Sequence, residues 1–110
     1  MKKILLILLL AVALVALVFL IKPVGDGEEE RAKAACIEAC RNAKNAGQDL
    51  SNGPCLLDPI SEMPDWVCDV AHSPREDVDN LPENQCSAFR QGSAKHFVEV
   101  DVNCQFIKAW

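Results

Sequence analysis

Several of the signatures that announce enzymatic chemistry are missing from this sequence. It holds no Gly-x-Ser-x-Gly elbow for a serine nucleophile and no glycine-rich loop that could cradle a phosphate. His72 next to Ser73 does not replace the elbow, because adjacent side chains rarely point at one another. Scattered carboxylates such as Asp58, Asp65 and Asp69 define no catalytic pair by spacing alone. The Cys-x-x-Cys of thioredoxin-like enzymes is absent. Cys36-x-x-x-Cys40 takes its place with no βαβ pattern around it, and Lys33 and Arg41 would lower a thiolate pKa only modestly. There are only two histidines, His72 and His96, and no second closely spaced cysteine pair to join Cys36 and Cys40, so a zinc-ligand set is lacking and both histidines read as ordinary turn and strand residues. The acidic stretch from Asp77 to Glu83 lacks the Gly and the later Glu of a calcium loop and reads as a solvated acidic loop. No Asn-x-Ser/Thr site, internal repeat or low-complexity tract occurs. No cofactor, catalytic residue or metal ligand is therefore assigned.

What is present falls into two unequal parts. From Ile4 to Ile21 the chain has no charge, proline or glycine. As a helix this run spans about 27 Å, near the hydrocarbon thickness of a bilayer. Lys2 and Lys3 precede it, and Asp26, Glu28, Glu29 and Glu30 follow Lys22. The positive-inside bias puts the N-terminus in the cytoplasm and the rest outside. The small residues Ala11, Ala13 and Ala16 lie inside the run and its exit offers no good cleavage site, so residues 1–21 read as an uncleaved signal anchor in the cell membrane. Cleavage, giving a secreted domain, is the alternative. Ala34-Ala35-Cys36 lies too far beyond the run to be a lipoprotein site. A pilin-like subunit is another alternative, but no processing motif precedes the run and Pro23 breaks a continuous helix.

Residues 22–27 form a linker and residues 28–110 the extracytoplasmic domain. The whole chain carries 11 basic and 16 acidic side chains; without Lys2, Lys3 and Lys22, residues 25–110 keep 8 basic against 16 acidic. Such a balance repels nucleic acid and favours cationic or basic partners.

Six cysteines (Cys36, Cys40, Cys55, Cys68, Cys86 and Cys104) in so short an exported domain read as a disulfide framework. They staple a domain too small to be comfortably stable on its own core. Asp26 with Glu29 can open a helix as a capping box, and Gly47 can end it. Ala32, Cys36, Ala39, Cys40 and Ala43 form one small-residue stripe along that helix. Residues 48–64 read as loop, Trp66–His72 as a short strand with Trp66, Cys68 and Val70 on one face, and Ser73–Glu83 as loop. From His96 to Phe106 apolar and polar residues alternate, as in one half-buried antiparallel strand. Gln91-Gly92-Ser93 would turn that strand back on Cys86–Arg90 as a hairpin.

The expected fold is therefore α+β: an N-terminal membrane helix, then one helix packed on a short antiparallel sheet. Cys36 and Cys40, one helical turn apart, cannot bridge each other while the helix is intact. The simplest arrangement ties them to Cys68 and Cys104, leaving Cys55 to pair with Cys86. Loops 51–64 and 73–85, with Trp66 beside the first, are the expected contact surfaces for an as yet unidentified protein partner. Three segments, Trp66 to Arg75, Asp79 to Cys86 and Lys95 to Asp101, resemble segments of small membrane-anchored, cysteine-containing archaeal proteins of uncharacterised activity. That resemblance covers about residues 36–110 and implies export and a single domain, but no activity. The expected function is non-enzymatic binding or scaffolding outside the membrane, with thiol–disulfide exchange as the enzymatic alternative.

Overall fold

The computed structural model describes residues 2–4, 7 and 27–110. The anchor and linker expected over 1–27 lie almost wholly outside the described residues. Among those described, no helix is long and apolar enough to cross a membrane.

Helix α1 (Glu28–Asn45) forms where five alanines coincide with acidic residues in the first turn and Lys44 in the last, matching the helix dipole at both ends. Its N-cap is Gly27, with no side-chain cap; Asp26, expected to form a capping box with Glu29, lies outside the described residues. The C-terminus is a Schellman motif. Gly47, at φ +80°, donates to the Lys44 carbonyl, and Gln48 donates to that of Ala43. Ala32, Cys36 and Cys40 line the buried face at four-residue spacing.

Four strands follow: β1 (Cys55–Leu57), β2 (Trp66–Val70), β3 (His96–Val100) and β4 (Phe106–Ala109). They form one sheet in that order. The sheet is mixed, not antiparallel: β2 and β3 run parallel, while β1–β2 and β3–β4 are antiparallel. Parallel neighbours need a crossover, here residues 71–95, carrying two 3-10 turns (Asp77–Asn80 and Pro82–Asn84) and helix α2 (Ser87–Arg90). The hairpin expected from Cys86–Arg90 is thus replaced by a helical turn within the crossover. The long final strand is also corrected. It breaks after Val100, where Asp101 Oδ1 accepts the backbone N–H groups of Asn103 and Gln105 and Cys104 sits at φ +65°. The chain turns there and comes back as β4.

The α+β expectation with three bridges holds. Cys36 joins Cys68, Cys40 joins Cys104, and Cys55 joins Cys86. One bridge bolts α1 to β2 and a second bolts it to the turn between β3 and β4. Trp66, Cys68, Val70, Val98 and Val100 meet Ala32, Cys36 and Cys40 in the main core. Trp66 is 5% exposed, its indole N–H donating to Glu28 Oε2 and its ring stacked on His96 at 4.7 Å. It is a core residue and not the contact residue expected of it.

Candidate functional site

Because β2 and β3 are in parallel register, their alternation produces two aligned rows. One row faces α1. The other (Val67 opposite Phe97, Asp69 opposite Glu99) looks out from the sheet's second face. No helix as long as α1 covers that face; the crossover closes over it from one side. The result is a cavity of about 290 Å³, walled by Val67, Phe89 and Phe97, by Cys86 and Gln85, and by the charged groups Asp69, Glu99, Arg75 and Arg90. Phe89 meets Phe97 edge-to-face at 5.1 Å.

Two carboxyl groups sit side by side here, both more than nine-tenths buried: Asp69 is 8% and Glu99 7% exposed. They are treated differently. Glu99 Oε1 accepts a hydrogen bond from Arg75 Nη1 at 2.9 Å. The same guanidinium also donates to Asn80 Oδ1 (2.7 Å) and the Asp79 carbonyl (3.4 Å). Asp69 Oδ1 has no hydrogen-bond partner. Burial, reinforced by the neighbouring Glu99 charge and only partly offset by Arg75, pushes the Asp69 carboxyl up to about 8. It holds a proton over the range where carboxyls are ordinarily ionised. A concave apolar site containing a strongly perturbed acid is the arrangement expected of a binding site.

The crossover is pinned by a second carboxylate. Asp79, fully buried, accepts the N–H of Glu76, the N–H of His72 and the ring Nδ1 of His72, each at 2.9 Å. Burial alone would raise its pKa, but these hydrogen bonds outweigh it and hold the group below the usual carboxylate range. The stretch expected to be a solvated acidic loop is therefore organised around a buried anion. His72 is its partner and not a free turn residue. On the far wall Asp58 caps α2 from another part of the chain, accepting from Ser87 N, Ser87 Oγ and Ala88 N.

The two expected contact loops divide. The 73–85 segment supplies Arg75 and Gln85 to the cavity. The 51–64 segment contributes no lining residue; it buries Ile60 and Met63 in the core and lends Asp58 as a cap. Cys55, Asp58 and Cys86 have donor atoms within 4.8 Å of one another. Both sulfurs are already joined to each other, so no thiolate is available there for a metal. His72 and His96 have separate partners, the former Asp79 and the latter Trp66 and Asp65. All six cysteines are bridged.

Sequence reasoning named Asp69 only among scattered carboxylates and passed over Glu99 and Arg75. The available signal was an acidic residue inside each of two apolar strands, Val-Cys-Asp-Val and Val-Glu-Val. A charge at such a position calls for a partner.

Fold and site together define a disulfide-stapled α+β domain with a ligand-sized groove on the sheet face opposite α1. Comparison with family models, with curated proteins and with solved structures finds no match for the chain.

Proposed function

We propose that this chain is a single-pass membrane protein, N-terminus in the cytoplasm, whose outer domain binds a ligand non-enzymatically in the groove between β2, β3 and the crossover. The carrying observation is the groove itself: apolar walls around a buried carboxyl whose oxygen lacks a partner. The apolar run 4–21, the lysines before it and the acidic residues after it support the topology. Three bridges with no free thiol fit an oxidising compartment. Rigid strands and a bridged wall suit recognition, because little is lost in ordering the site when a ligand arrives.

The test has two parts. A C-terminal tag should be reached by a membrane-impermeant reagent on intact cells. The full-length chain in detergent micelles should then be screened by NMR against cationic, neutral and anionic fragments. Shift changes grouped at Val67, Phe89 and Phe97 are expected. Changes grouped elsewhere, or none at all, would refute the groove as a binding site.

A further inference from the structure

The ligand class follows from what the groove leaves unsatisfied, on the premise that the groove is a binding site. We infer that it takes an alkylammonium group, whose N–H donors reach the unpartnered oxygen of Asp69 beside Glu99 while its carbon chain lies against Val67, Phe89 and Phe97. The group can come from a free small amine or from a lysine side chain.

Four observations carry this. Asp69 Oδ1 is a buried acceptor without a donor, which a native interior rarely leaves so. Neither arginine of the groove answers it: Arg75 gives its hydrogen bonds to Glu99, Asn80 and the Asp79 carbonyl, and Arg90, exposed at the rim, makes none with Asp69 Oδ1. The walls are aromatic, and an ammonium is attracted to a ring face. The chain already does this with its own lysines: Lys108 Nζ lies 5.6 Å from the centroid of Phe97, and Lys33 Nζ lies 4.1 Å from that of Phe106. Finally, a divalent metal would need more hard donors than these two carboxylates, and among the described residues they belong to no metal-spaced cluster. An anionic ligand would approach a domain with twice as many acidic as basic side chains.

The charged groups around Asp69 are Glu99 on β3, Lys108 opposite Glu99 on β4, Arg75 and Asp79 on the crossover, and Arg90 on α2 at the rim. With Glu99 answered by Arg75, Asp69 is the one buried carboxyl here without a counter-ion, and in the empty groove a proton neutralises it. An entering ammonium takes over that neutralisation. The proton then leaves the Asp69 carboxyl for solvent, and the carboxylate pairs with the ammonium. Binding therefore releases a proton below about pH 8 and tightens as pH rises toward that value.

Isothermal titration of the full-length chain in micelles tests this, with n-butylamine, a lysine-containing tripeptide and hexanoate as probes. Butylamine is expected to bind with a heat that varies with buffer ionisation, reporting proton release. Asp69→Asn should weaken it at least about tenfold and abolish the release. Phe89→Leu should weaken it a few-fold while leaving the release intact. A tripeptide tighter than butylamine assigns the site to a lysine side chain, and the reverse order assigns it to a free amine. The inference is overturned by no amine binding up to about 10 mM, by equal binding to the Asn variant, or by hexanoate binding in place of the amines. If NMR fragment mapping still finds neutral or anionic fragments in the groove, only the ammonium assignment falls. If nothing occupies the groove, the binding function falls with it.

Discussion

Asp79 stands in the space that a side chain on Gly53 would need. A Cβ on Gly53 would run into Asp79 Oδ1 and come within 3.0 Å of the Val70 carbonyl, and the residue sits at φ +67°. Close approach and left-handed backbone both demand glycine here. The contact locks the turn before β1 against the crossover that walls the groove. Gly53→Ala should cost about 2–4 kcal/mol of stability, read from the thermal unfolding of the full-length chain.

Asp79 itself titrates in the opposite sense to Asp69. Its pKa is lowered in the fold, so the stability it contributes is present above the ordinary carboxylate range. That stability is lost as pH falls through the folded-state value. Asp79→Asn should cost about 1–3 kcal/mol at neutral pH, since a single amide oxygen cannot serve three donors. The difference from the parent should shrink in acid, and denaturant unfolding at two pH values measures it.

Asp69 is raised, from 3.8 to about 8. Between those values the folded chain holds a proton that the unfolded chain gives up. The stability tied to that proton is full below the ordinary range and is lost as pH climbs to about 8. The unfolding free energy of the parent, read from denaturant unfolding, should fall relative to Asp69→Asn over that interval by at most about 1.4 kcal/mol per pH unit. Parallel profiles for the two proteins would show that the carboxyl is already ionised in the fold.

The two tryptophans report the burial directly. Trp66 lies under α1 at 5% exposure, and Trp110 is 68% exposed. Trp110→Phe should leave a blue-shifted emission that iodide scarcely quenches. Trp66→Phe should leave a red-shifted, readily quenched one and lose the indole donor to Glu28, at about 1 kcal/mol or more. Equal quenching of both would place Trp66 at the surface.

Peptide mapping without reduction should find Cys36–Cys68, Cys40–Cys104 and Cys55–Cys86. Replacing both members of a pair by alanine should cost about 2–5 kcal/mol. The Cys40–Cys104 pair, which spans 64 residues against 32 and 31 for the others, should cost the most in the chain-entropy account.

Features that depend on local periodicity were legible in the chain alone. The Ala and Cys stripe marked α1 and its buried face, Gly47 marked its end, and the count and placement of cysteines marked a disulfide-stapled domain. The inward pointing of Cys36, Cys40, Cys68 and Cys104 even narrowed the bridges to the right groups, because a residue's face follows from its register in a helix or strand. The break at Asp101 was less visible. Alternation continues through Cys104, and an aspartate closing a turn on its own backbone looks no different in sequence from one on the polar side of a strand.

Strand order and direction were beyond the sequence. Whether residues 86–100 fold back as a hairpin or cross over to a parallel partner depends on which edge of β2 is free. That is settled by where α1 and the bridges have fixed the other elements. The groove follows from that choice: only parallel register sets Asp69 beside Glu99, and only the crossover brings Arg75 to one carboxyl while leaving the other unanswered. Sequence fixed the oxidised, stapled character of the domain through local spacing and composition. Tertiary structure alone decided its site, because burial and the neighbouring charge that alter a carboxyl come from residues distant in the chain.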